Sequence, residues 1–186
     1  MSLDRRVRRR WLVAVPAVLG VLALGWLIWF TASGDDAADS AEGAPGGMPA
    51  DLAGLERTDV ATGDAALQRV AQMHNKSNIA IVDATVARFG ATEDGAEIWV
   101  GRTLNAEMAD KLVMDMAEAI AEGRSPFSSA TWIADESVWQ TSGMGQVHYF
   151  LARGDGVWWL SINPEQAATA LAEVKALAEA SSRPSS

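Results

Sequence analysis

Residues 146–162 read Q-V-H-Y-F-L-A-R-G-D-G-V-W-W-L-S-I. Two runs rich in β-branched and aromatic residues flank a Gly-Asp-Gly cluster, which is the pattern of a β-hairpin. Neighbours on a strand point to opposite sides, so each run divides into two faces. With Asp155-Gly156 as the turn, Arg153 opposes Trp158 and Ala152 opposes Trp159. Val147, Tyr149, Leu151, Trp158, Leu160 and Ile162 then share a wholly apolar face, the expected core side. His148, Phe150, Ala152, Val157, Trp159 and Ser161 share the other. That second face is mixed, with two large aromatics beside an imidazole. Either a helix covers it, giving a three-layer domain, or it is open and recognises something. A slip of one residue in register would exchange the two faces.

Working outward, turn signals at Asp135-Glu136 and Gly143-Met144-Gly145 separate two further strands, at 129–134 and 137–141. Upstream, residues 79–89 and 97–102 read as a strand pair around Asp94-Gly95. Three helices accompany these strands. The first runs over 65–74 behind Gly63-Asp64. The second runs over 106–121, capped by Asn105 and stopped by Gly123, with Met108, Leu112, Val113, Met116, Ala117 and Ile120 on one stripe. The last is opened by Asn163 and Pro164, with Ala167, Leu171, Val174 and Leu177 on its apolar side. Strands joined mostly by short turns favour an antiparallel sheet over a doubly wound parallel one. The fold class expected is α+β, about six antiparallel strands covered by about three helices over residues 52–181, followed by a polar tail at 182–186. The order helix-strand-strand occurs twice in succession, which leaves a diverged duplication open.

Ahead of this domain, residues 11–32 carry no charge over 22 positions. At about 1.5 Å per residue such a helix reaches roughly 33 Å, enough for a hydrocarbon core of about 30 Å. Arg5, Arg6, Arg8, Arg9 and Arg10 in the preceding segment 1–10 hold that end in the cytoplasm. Trp11 at one end and Trp26, Trp29 and Phe30 at the other suit the membrane interfaces. The run is longer than the apolar core of a cleaved signal peptide and closes on bulky aromatics, which favours a retained signal-anchor. Residues 33–51, rich in Gly, Ala, Asp and Pro, read as a disordered acidic linker. The expected location is the inner (cytoplasmic) membrane, crossed once, with the lipid bilayer as partner through 11–32 and the C-terminal domain extracytoplasmic.

Charge and composition exclude several functions. The net charge is −9, and the segment before the membrane run takes five of the fifteen basic residues and only one of the twenty-four acidic ones. The remaining chain is therefore strongly acidic, the opposite of a nucleic-acid footprint. With no cysteine, disulfides, thiolate nucleophiles and Cys-ligated metals are excluded. There is no P-loop, nucleophile elbow, dinucleotide fingerprint or zincin motif.

No catalytic residue and no cofactor follow from these residues. A ligand or partner surface is expected at His148, Phe150 and Trp159. The leading functional expectation is a non-catalytic interaction or assembly module of the bacterial cell envelope, meeting another membrane or envelope protein. A second is a small-ligand or copper-binding protein, with His148 and His74 beside Met144 and Met73 supplying soft ligands. A third, weaker reading is a hydrolase, with Asp83, Glu97 and Asp135 as the carboxylates from which a pair would come.

Overall fold

The computed structural model of the chain describes residues 47–74, 80–91 and 94–183, of which Met73 and His74 are described by backbone alone. The expected membrane segment 11–32, its arginines and aromatic ends, and the linker up to residue 46 lie outside the described residues. Among the described residues, no helix is long and apolar enough to cross a membrane.

In chain order the elements are β1 (Asp51–Leu52), β2 (Leu55–Thr62), α1 (Gly63–His74), β3 (Asp83–Phe89), β4 (Ala96–Arg102), α2 (Ala106–Ala121), β5 (Thr131–Ile133), β6 (Val138–Gly143), β7 (Gln146–Arg153), β8 (Gly156–Ile162) and α3 (Ala167–Ser181). A 3-10 turn, Pro164–Gln166, leads into α3. The strands form one antiparallel sheet in the order β1-β2-β3-β4-β8-β7-β6-β5. The class is α+β, with eight strands among the described residues where the sequence suggests about six.

The two added strands lie at the start. Met48 is 2% exposed and Leu52 fully buried, so the domain begins inside the stretch that composition reads as linker. β2 escapes sequence reading because, of Leu55-Glu-Arg-Thr-Asp-Val-Ala-Thr62, only Ala61 is buried, among charged and small residues.

The β7–β8 hairpin turns at Gly154-Asp155 rather than Asp155-Gly156, because Gly154 takes the positive φ of +56°. Arg153 therefore pairs with Gly156, Leu151 with Trp158 and Phe150 with Trp159. The pairing sum moves by two residues, an even number, so every side chain keeps the face that the sequence assigns it.

One face of the sheet carries Phe89, Ile98, Val100, Tyr149, Leu151, Trp158, Leu160 and Ile162, packed beneath Ala167, Ala170, Leu171, Val174 and Ala178 of α3. The opposite face carries Phe150 and Val157, packed beneath Ala109, Val113, Ala117 and Ile120 of α2. α1 lies on that second face too, since its Arg69 reaches Asp59, which pairs with Arg88 in register with Glu97 and Ser161. The domain thus has three layers. Asn105 caps α2 as expected, its side chain accepting from the Met108 N–H at 2.9 Å. Asn163 makes no side-chain cap bond.

Candidate functional site

The face beneath α2 holds two rows of side chains running across the strands. The first is aromatic. Trp99 of β4 pairs with Trp159 of β8, Trp159 with Phe150 of β7, Phe150 with Trp139 of β6, and Trp139 with Trp132 of β5. Phe150 stacks on Trp159 at 5.2 Å and 15° and on Trp139 at 6.2 Å and 12°, while Trp132 meets Trp139 at 5.4 Å. Cross-strand aromatic pairs of this kind each stabilise a sheet by a few tenths to about 1 kcal/mol. The row is buried in the middle and emerges at its end: Phe150 is 0% exposed, Trp132 47%.

The second row is polar and lies two residues along: Asp59, Arg88, Glu97, Ser161, His148 and Thr141, each opposite the next. Its members are paired locally. Arg69 meets Asp59 at 2.7 Å and Arg88 meets Glu97 at 2.9 Å. The Ser161 hydroxyl donates to Gln146 Oε1, and Gln146 Nε2 donates to the Gly95 carbonyl at 3.0 Å. His148 Nε2 lies 3.1 Å from the Gly143 carbonyl, which can only accept, so the ring proton is on Nε2. Nδ1 then carries a bare lone pair, and it is buried with no hydrogen-bond partner. Burial holds the His148 proton affinity below the ordinary value, against an upward pull from the Gly143 hydrogen bond, which favours the neutral ring.

A strap of irregular backbone, residues 124–130, crosses this face between α2 and β5. Phe127 is its inward side chain, 4.7 Å from His148 edge-on and 5.2 Å from Trp159. Ser128 fixes the strap to β6: its N–H donates to Ser142 O at 2.8 Å, its carbonyl accepts from Thr141 Oγ1 at 2.7 Å, and its Oγ accepts from Ser142 N at 3.0 Å. Gly143 is required by this approach, since a Cβ there would sit 2.7 Å from Phe127 Cδ1.

The residues singled out by sequence meet in space. His148 and Trp159 are 5.4 Å apart and Phe150 stacks on Trp159. They do so under cover: His148 and Phe150 are buried and Trp159 is half-buried, beneath α2 and the strap. The chain matches no protein-family model, no curated protein and no solved structure.

Other candidates are dispersed. His74 and Met73 offer no described side chains, and Met144 sits exposed in the β6–β7 turn with a φ of +55°. Among the described residues no group of three potential metal ligands comes together. Asp83 and Glu97 lie at opposite ends and on opposite faces of the β3–β4 hairpin, and Asp135 lies in the β5–β6 turn at the far side of the sheet. No hydrogen bond joins Ser161 to His148: the Ser161 hydroxyl donates to Gln146 Oε1, and His148 Nε2 faces the Gly143 carbonyl. Sequence reasoning missed Phe127 as a partner of His148, and missed Trp132 and Trp139 as the continuation of the row. The signal for the latter was present, because the hairpin registers place these rings opposite one another; nothing periodic marks the strap.

Proposed function

We propose that the chain is a membrane-anchored, extracytoplasmic interaction module of the cell envelope, and that it receives an extended segment of another envelope protein along β5, beside Trp132. The anchoring half of this reading rests on the apolar run at 11–32 and the arginines before it. The docking half rests on one observation: the aromatic row ends on Trp132, 47% exposed, in an edge strand whose outer backbone is unpaired within the sheet.

An edge strand presents a row of N–H and C=O groups, and only an extended chain satisfies such a row. Edges that are not used are commonly blunted by charge, Pro or a covering element. β5 has no charged residue and no Pro in Thr131–Ile133. The opposite edge, β1, carries the charged Asp51. Large aromatics are the residue types that dominate interface energetics.

The test places a photocrosslinking amino acid at position 132 of the full chain in its own membranes, with position 114, an exposed site on α2, as control. The expected result is a discrete crosslinked species from 132 that is absent from 114. It disappears when Ile133 is changed to Lys in the same chain and survives Ile133→Val. A chain that stays unlinked from 132, or links equally from 114, removes the docking half.

A further inference from the structure

The triangle of Phe127, His148 and Trp159 has one member unlike the other two. His148 and Trp159 are held in β7 and β8, each with a neighbouring strand on both sides. Phe127 comes from the strap, whose described attachments around it are the bonds of Ser128 to Thr141 and Ser142 and a 3.4 Å contact from its own N–H to Ser125 Oγ. Phe127 fills the slot against both rings but brings His148 nothing polar. His148 Nδ1 is the only buried side-chain nitrogen or oxygen among the described residues that lacks a partner. Leaving such an acceptor bare costs roughly 1–3 kcal/mol.

The imidazole that carries this bare acceptor stands against a slot of phenyl size, and the present occupant belongs to an irregular segment. A free ring of the same size carrying an N–H or O–H would fill the slot and satisfy Nδ1 together. We propose that this slot is a binding site for a small neutral aromatic molecule bearing one hydrogen-bond donor, of the phenol or indole class, which enters by displacing Phe127. His148 supplies the selectivity and Trp159 the stacking surface. Charged ligands are disfavoured because the slot is walled by apolar rings and the nearest ion pair, Arg88 with Glu97, is already made. With the strap closed in the free protein, apparent affinity is reduced by the fraction of molecules that are open. The site is independent of the β5 docking surface and stands or falls without it.

The experiment uses the full chain in lipid nanodiscs, labelled with 15N-histidine. The chain has only two histidines, which keeps the spectrum assignable. Phenol and toluene are the probes, matched in ring but not in donor, with empty nanodiscs correcting for partition. The expected result is a saturable shift of the His148 Nδ1 resonance with phenol and none with toluene. Phe127→Ala should tighten phenol binding more than tenfold by removing the competing ring, with Phe127→Leu giving the same direction if the alanine variant loses its near-UV circular dichroism. In Phe127→Ala, phenol should bind about fivefold tighter than toluene, as one hydrogen bond of about 1 kcal/mol allows, and His148→Phe should erase that preference. Binding seen only in the Phe127 variants would identify Phe127 as ordinary core and the slot as an engineered cavity, overturning the proposal. Equal binding of phenol and toluene, or an unmoved Nδ1 resonance at saturating phenol, would overturn it equally.

Discussion

Phe150→Ala and Trp132→Ala remove one ring each from the same aromatic row and should differ severalfold in cost. Phe150 is fully buried, stacked on Trp159 and Trp139 and roofed by Ala109, Val113, Ala117 and Ile120. Truncating a buried Phe costs roughly 3–5 kcal/mol through lost transfer energy and the cavity left behind. Two ring pairs, each contributing about 0.5–1.5 kcal/mol beyond buried area, place this site at the upper end, near 5 kcal/mol. Trp132 is 47% exposed, has one ring partner at 5.4 Å, and lies in the terminal strand. Its removal leaves no enclosed cavity and should cost about 1 kcal/mol. Domains of this size are stable by about 5–15 kcal/mol, so the first variant approaches global unfolding and the second does not. Urea unfolding of a fragment spanning 40–186, which forms one compact unit, followed by far-UV circular dichroism, measures both. A Phe150→Ala cost below about 2 kcal/mol, or equal costs at the two positions, would refute the reading that α2 packs tightly on this face.

Three further outcomes follow from the same geometry. Gly143→Ala should cost roughly 1–3 kcal/mol through the clash with Phe127; adding Phe127→Ala should relieve part of it, and strictly additive urea midpoints would contradict the contact. Because burial lowers the folded-state pKa of His148 below its ordinary 6.5, the unfolded chain binds the proton first. Stability contributed by the neutral ring is complete above pH 6.5 and falls as the pH drops toward the folded value, by up to about 1.4 kcal/mol per pH unit. His148→Phe should flatten that acid limb in thermal scans between pH 7 and 5, and an unchanged slope would place the titration elsewhere. Asn105→Ala removes the cap on the Met108 N–H and should lower stability by about 1 kcal/mol with far-UV helix signal retained.

Elements with strong local rules were legible in the sequence. α2 was readable to the residue because Asn105, Gly123 and the apolar stripe agree. The two faces of β7 and β8 were readable despite the misplaced turn, because alternation fixes parity and the error was even. β1 and β2 were not readable, since Leu55–Thr62 hides one buried alanine among charged and small residues. Which covering element lies over His148 was equally hidden. The strap reaches it through Phe127, anchored by Ser128, and these contacts are set by distant partners at Thr141, Ser142 and Gly143 rather than by any repeat.

Strand addition at β5 can be read most directly by amide hydrogen exchange at residues 131–133, comparing the purified chain with the same chain in its native membranes. An occupied edge should slow the outward-facing amides of β5 at least tenfold in the membranes, leave β1 at residues 51–52 unchanged, and lose the protection in Ile133→Lys. Identical exchange at 131–133 in both preparations would contradict the docking of an extended partner beside Trp132.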